Sequence, residues 1–190
     1  MVRYLSIGAL ILSSATALAE GPSYSYIQAA YQEIDVDIGG NNDADGDGYG
    51  VVGSVAINED WFVFAGYSSF DLESVVDLDQ LELGGGWRAP INSNTDWFVT
   101  ASYIDYDLSA RGLGSASEDG FGVGVGIRSM LSPALELYGK VAYEDVGDGD
   151  TTLAGGVWYT VTGNLALGAG VDLGDDITSY GVGIRLYFDK

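Results

Sequence analysis

The sequence predicts an all-β fold, an up-and-down antiparallel transmembrane β-barrel of about ten strands, on three observations. Ten segments alternate with a period of two, at about 24–37, 48–58, 61–71, 79–89, 96–107, 120–129, 135–145, 152–161, 164–173 and 179–188. A hairpin-sized theme recurs as AAYQEI from Ala29, AGYSSF from Ala65, ASYIDY from Ala101 and VAYEDV from Val141, with AGVDL from Ala169 as a degenerate copy. Within the segments one parity is almost bare of charge and the other carries the charge, the reverse of a soluble barrel. Ten is an even number and closes a meander; eight is the alternative if two hairpins are misassigned.

The first element is an export signal. Met1 to Arg3 give a charged start, Leu5 to Leu12 an apolar centre and Ala17-Leu18-Ala19 a small-x-small cleavage site. Residues 1–19 therefore read as a signal peptide and 20–190 as the barrel domain. Its apolar stretch is shorter than the ~20 residues a spanning helix needs, and no later run approaches that length. An exported chain without a hydrophobic helix enters a membrane only through many short strands.

The strands follow in hairpins. Tyr31, Tyr67 and Tyr103 are 36 residues apart and Tyr143 follows after 40, the length of two strands of about ten residues with one short and one longer connection. The short connections are Asn58 to Asp60, Pro90 to Thr95, Met130 to Ala134 and Thr162-Gly163. The longer ones are GGNNDADGDG from Gly39, DLESVVD from Asp71, LSARGLGSASED from Leu108, DVGDGD from Asp145 and GDDIT from Gly174, and they hold most of the acid. This asymmetry predicts short periplasmic turns and longer external loops.

The apolar parity runs through Trp61, Val63, Ala65 and Tyr67; Leu81, Leu83, Gly85 and Trp87; Trp97, Val99, Ala101 and Tyr103; Phe121, Val123, Val125 and Ile127; and Leu135, Leu137, Gly139, Val141 and Tyr143. Its aromatics fall in two rows. Trp61, Trp87, Trp97, Tyr159 and Phe188 stand at the short-turn end, and Tyr31, Tyr49, Tyr67, Tyr103, Phe121, Tyr143 and Tyr180 at the loop end, as two membrane interfaces would arrange them. The other parity holds glycines, hydroxyls, Gln28, Gln80, Glu82, Arg88, Arg128, Glu136, Lys140, Asp172 and Arg185.

These features resemble the small outer-membrane β-barrels of the outer-membrane-protein β-barrel-domain type, in the style of OmpA-like and OmpX-like surface barrels but with ten strands. The likeness covers the whole chain after the signal. It rests on the Y-x-Y-[IV]-x-x-x-Y opening at Tyr24, Tyr26, Ile27 and Tyr31, the repeated G-Y and A-Y hairpins, and DADGDG in the first loop. The final strand, with Tyr180, Val182, Ile184, Leu186 and Phe188 at every second position, resembles the signal read by the barrel-assembly machinery; Asp189 and Lys190 extend past the usual terminal aromatic. The resemblance implies an outer-membrane location in a Gram-negative envelope and roles in envelope integrity, adhesion or biofilm.

Composition narrows the chemistry. With 28 Asp and Glu against 7 Lys and Arg, the chain carries −21, which disfavours nucleic acid as a partner. It has no Cys and no His, which removes disulfides, thiolate nucleophiles and imidazole bases; no enzyme activity is expected, and no cofactor. A carboxylate-only site among Asp35, Asp71, Asp105 and Asp107 is the single catalytic arrangement left, and loop acidity explains those residues more simply. With 29 Gly and 13 Tyr but only 3 Pro, the chain is too patterned for a flexible low-complexity segment.

Two sites remain. Inward Glu82, Arg88, Arg128, Glu136, Lys140, Asp172 and Arg185 form a candidate lumen charge network, with Arg128 and Glu136 partnered across one tight turn. It either plugs and stiffens the barrel or forms a constriction selecting small anions. Inward Phe62, Phe64, Phe98, Tyr138, Trp158 and Tyr187 favour filling, whereas inward glycines at 84, 86, 122, 124, 126, 168, 170, 181 and 183 favour space. In the first loop, Asp43, Asp45 and Asp47, with Gly48 sixth, match the start of a calcium loop. Position 12 is Ser54 rather than Glu, so the pattern is a candidate surface calcium or magnesium site and not an EF-hand; Asp148 and Asp150 make a second acidic cluster. The expected function is a monomeric structural or surface-interaction barrel acting through acidic external loops, with lipid and cation-bridged lipopolysaccharide as partners. The alternative is a narrow channel for small solutes.

Overall fold

In the computed structural model the described residues are 21–37, 43–72, 76–110, 114–147, 149–175 and 177–188. The expected signal at 1–19, Asp148, Asp189 and Lys190 lie outside them. Ten strands form: β1 (Tyr26–Asp37), β2 (Asp43–Ala56), β3 (Trp61–Leu72), β4 (Val76–Asn92), β5 (Thr95–Ala110), β6 (Gly114–Ser132), β7 (Leu135–Asp145), β8 (Asp150–Thr162), β9 (Leu165–Leu173) and β10 (Ile177–Tyr187). Each pairs antiparallel with its neighbours in sequence, and β1 closes on β10 from Tyr26 opposite Tyr187 to Val36 opposite Ile177. Closure leaves no sheet edge unpaired, as hydrocarbon requires.

The short turns are built by side chains that satisfy backbone N–H groups. Asn58 Oδ1 accepts from the N–H groups of Asp60 and Trp61 at 2.9 Å each, and Asn92 Oδ1 from Asn94 at 3.0 Å. Ser132 Oγ accepts from Ala134 and Leu135 at 3.3 and 3.1 Å. Such local bonds stop a strand and reverse the chain. In three of these turns the register slips by one residue, at Pro90/Asn92, Met130/Ser132 and Thr160/Thr162, where a bulge adds the twist a tight hairpin needs.

Several strands run further than the alternation indicates. β2 begins at Asp43 and β6 at Gly114, so DADGDG and the GSASED segment are strand rather than loop. Beyond the apolar band both faces are polar, so the period-two signal ends while the hydrogen-bond ladder continues. A strand crosses the bilayer core in about 9–11 residues, so β4, β5 and β6, with 17, 16 and 19 residues, stand well clear of it. At the other end β1 starts at Tyr26 rather than residue 24; residues 21–25 are not strand.

Side chains alternate strictly. The outer face carries Val63, Leu83, Val99, Val123, Val125, Ile127, Val141, Ile184 and the aromatics of both rows, all exposed except Trp87 and Trp97, which are half-buried against each other. The buried residues point inward, and six of them form two clusters in the short-turn half: Tyr24, Phe62 and Phe98 on one side, Trp158, Ala166 and Tyr187 on the other; Ile34, Phe70 and Ile104 are buried nearer the long connections.

Inward glycines are not empty space. Phe62 stands opposite Gly86 and Phe64 opposite Gly84 across β3 and β4. The same pairing recurs in Phe98 with Gly126, Tyr138 with Gly156 and Trp158 with Gly168. In all five pairs the ring occupies the position a Cβ on the glycine would take. Each aromatic lies flat across a neighbouring backbone, which only glycine permits.

Candidate functional site in the barrel lumen

The lumen divides into a packed floor and an open vestibule. One side of the floor is built on Tyr24, which is 3% exposed although it precedes the first strand. Its ring lies 4.7 Å from that of Phe62 and 6.4 Å from that of Phe98. The guanidinium carbons of Arg88 and Arg128 sit 4.7 and 4.4 Å from its centroid, within cation–π range. Arg88 is in turn paired with Asp96 at 2.7 Å.

The other side is organised by Glu136, 1% exposed. Arg128 donates to its Oε1 through Nε at 2.8 Å, with Nη2 at 2.7 Å, and Arg185 through Nη1 at 3.2 Å. The Tyr187 hydroxyl donates to its Oε2 at 3.1 Å. Arg185 also donates to Gln28 Oε1 at 2.7 and 3.0 Å. Its guanidinium lies 4.0 Å from the Trp158 ring and 4.2 Å from that of Tyr26. Strand β7 thus supplies one carboxylate that two arginines share, from the adjacent β6 and from β10, three strands round the wall. A buried carboxylate is tolerated only with this degree of pairing.

Above the floor, toward the long connections, a cavity of about 310 Å³ is lined by Gln32, Gln80, Glu82, Tyr106, Lys140, Glu144, Asp150 and Asp172 among others. The Tyr106 hydroxyl donates to Glu144 at 2.9 Å, and Ser179 to Asp172 at 3.2 Å. The seven expected network residues therefore separate. Arg88, Arg128, Glu136 and Arg185 build the floor, while Glu82, Lys140 and Asp172 line the vestibule. Among the described residues no ion pair joins Lys140 to a carboxylate.

Sequence reasoning missed Tyr24 as a floor residue, Asp96 as the partner of Arg88, and Glu144 and Asp150 in the vestibule. Asp96 and Glu144 have the inward parity of their strands and were open to the same count that found Glu82. Tyr24 shares the parity of Tyr26, so alternation reads it as more strand.

The outer wall above the apolar band carries a second arrangement. Asp45 faces Asp35 and Asp47 faces Glu33 across β1 and β2. Asp47 also faces Asp71 on β3, and Asp71 faces Asp77 on β4. Asp79 faces Asp107, and Asp105 faces Asp119. All lie on the lipid-side parity. Beneath them the Tyr67 hydroxyl donates to Asp79 at 2.8 Å, Tyr103 to Asp105 at 3.4 Å, and Tyr180 to Asp35. The expected calcium-loop residues Asp43, Asp45 and Asp47 lie along β2, with Asp45 and Asp47 exposed and the side chain of Asp43 outside the described set. Residues two apart on a strand are about 6.6 Å apart, so this segment does not wrap an ion as a loop would. The five alternating residues Tyr180, Val182, Ile184, Leu186 and Phe188 form an exposed outer stripe on and just beyond β10.

A closed antiparallel barrel, apolar outside, aromatic at both rims and charged within, is an outer-membrane β-barrel. Residues 5–175 match the family model of the outer membrane protein beta-barrel domain, and the chain belongs to that family. No curated protein matches the chain. Among solved structures it is similar to the β domain of the Bordetella autotransporter BrkA, at 13% identity and a TM-score of 0.55, with 87% of this chain and 100% of that one covered. It is also similar to the KdgM porin in complex with disordered oligogalacturonate, at 15% identity and a TM-score of 0.49, with 86% and 99% covered. A third is Ail, the attachment invasion locus protein of Yersinia pestis, at 15% identity and a TM-score of 0.45, with 86% and 97% covered. At these identities the likeness is one of fold.

Proposed function

We propose that the protein is a monomeric surface barrel of the outer membrane, without enzyme activity, that meets lipopolysaccharide through divalent cations held on its acidic outer wall. The observation that carries this reading is the register of like charges, with carboxylate opposite carboxylate from β1 to β6 just above the tyrosine collar. Directly opposed like charges destabilise a strand pair, and a calcium or magnesium ion between them reverses the sign of the interaction. The same ions bridge to the phosphates of lipopolysaccharide, which bare carboxylates would repel. The surface is strand wall rather than loop, because β4 to β6 carry it outward. The channel alternative is disfavoured by the packed floor. The stripe from Tyr180 to Phe188 serves as the recognition strand for the assembly machinery.

The test presents the folded protein, in neutral-lipid nanodiscs, with lipopolysaccharide aggregates in magnesium or in EDTA. Capture in magnesium that is lost in EDTA, and lost in a variant combining Asp35→Asn, Asp45→Asn and Asp47→Asn, is expected. Capture indifferent to both chelator and substitution contradicts the reading.

A further inference from the structure

We propose that residues 21–25 are a strap that seals one half of the lumen floor, and that its displacement opens the barrel to ions. The inference goes beyond the surface role and concerns only the short-turn mouth.

The strap starts from β1 and ends on the far wall. At its β1 end, the Ser54 hydroxyl donates to the Tyr24 carbonyl at 2.7 Å, and the Phe188 N–H to the Ser25 carbonyl at 3.0 Å. At its other end, a Cβ on Gly21 would lie 3.7 Å from the Ser93 carbonyl oxygen, in the turn between β4 and β5. In the strand order that turn is three to four strands round from β1, so the chain crosses the mouth as a chord. Between these points Tyr24 drops its ring into the lumen, reaching Arg128 on β6, the strand opposite β1 in a ring of ten.

Tyr24 is held by faces of rings and guanidinium groups. Its buried hydroxyl has no hydrogen-bond partner among the described residues. The seal on this side is thus an aromatic plug carried by a segment outside the sheet, and its withdrawal breaks the Ser54 bond to the Tyr24 carbonyl but none of the ladder bonds between strands. The Glu136 cluster closes only the opposite side, so withdrawal connects the vestibule to the short-turn mouth along Phe62, Phe98 and Arg88.

The chain has no cysteine, so within one chain an engineered pair can cross-link only with itself. In the folded Gly21→Cys/Ser93→Cys protein, mild oxidation should join the two residues within one chain; failure to cross-link, with folding shown by heat-modifiable mobility, overturns the strap. In planar bilayers the folded wild type and Tyr24→Phe should be silent, since the phenyl ring keeps the plug, whereas Tyr24→Ala should give discrete conductance steps. Folded Tyr24→Ala as silent as wild type overturns the proposal, and so does a wild type that conducts as Tyr24→Ala does. If Tyr24→Ala does not fold, deletion of residues 21–24 takes its place with the same two outcomes. Neither arm depends on cations or lipopolysaccharide, so failure here leaves the surface reading standing, and the reverse.

Discussion

Substituting Glu136 probes the floor most sharply. Its carboxylate serves two arginines, each about 5% exposed, at 2.7 and 3.2 Å, and accepts from Tyr187 at 3.1 Å. Removing one partner of a buried ion pair costs about 3–5 kcal/mol, because the remaining charge is left uncompensated. In Glu136→Ala two guanidiniums lose their carboxylate, and among the described residues only Arg185 retains another side-chain acceptor in Gln28; the expected loss is at the upper end, about 5 kcal/mol. Glu136→Gln keeps the size and one acceptor oxygen but not the charge, and should lose about 3 kcal/mol. The assay is reversible urea unfolding of the protein in lipid vesicles, followed by tryptophan fluorescence, with Trp158 beside the cluster. A variant in which Arg128, Glu136 and Arg185 are all replaced by Met or Leu should recover most of the loss, since an apolar replacement of a whole buried network is often neutral. A loss below about 1 kcal/mol in Glu136→Ala, the range of an exposed pair, would refute the reasoning and mean the floor is wet.

Three further substitutions test the wall. Val125 lies mid-strand on the outer face between Val99 and Val141, so Val125→Arg should cost about 2–4 kcal/mol in the same urea titration; a neutral result would place that face away from lipid. Gly86→Ala puts a methyl group where the Phe62 ring sits and should cost about 1–3 kcal/mol by overpacking. Its neighbour Gly85→Ala, on the outer face with a Cβ no nearer than 3.5 Å to other atoms, should change stability by less than about 0.5 kcal/mol. Equal effects at 85 and 86 would contradict the ring-on-glycine packing.

The membrane made the wall legible. Lipid tolerates no charge on one face, so the ten strands and the sorting of inward Glu82, Arg88, Glu136 and Arg185 from outward Val125 and Leu83 follow from counting alone. The signal fades where both faces meet water, which is why the start of β2 at Asp43 and of β6 at Gly114 is invisible to periodicity. Contacts between strands are legible only where a tight turn sets register. Arg128 and Glu136 flank such a turn, and Trp158 and Gly168 flank another. Phe62 with Gly86 and Phe98 with Gly126 lie 24 and 28 residues apart, on strands whose far ends the alternation does not locate, so the sequence displays aromatics and glycines without showing that one covers the other. The link from Arg185 to Glu136 spans from β10 to β7, and the descent of Tyr24 into the lumen departs from the sheet altogether. Both depend on the closed ring rather than on any local pattern.

Permeation through the unmodified protein tests the central claim most directly, that floor clusters on both sides close the lumen beneath an acidic vestibule. Proteoliposomes containing the folded wild-type barrel are placed in an isotonic solution of a small neutral sugar, and swelling is followed by light scattering. The closed floor predicts traces that match protein-free liposomes; swelling that rises with the amount of barrel inserted would contradict it.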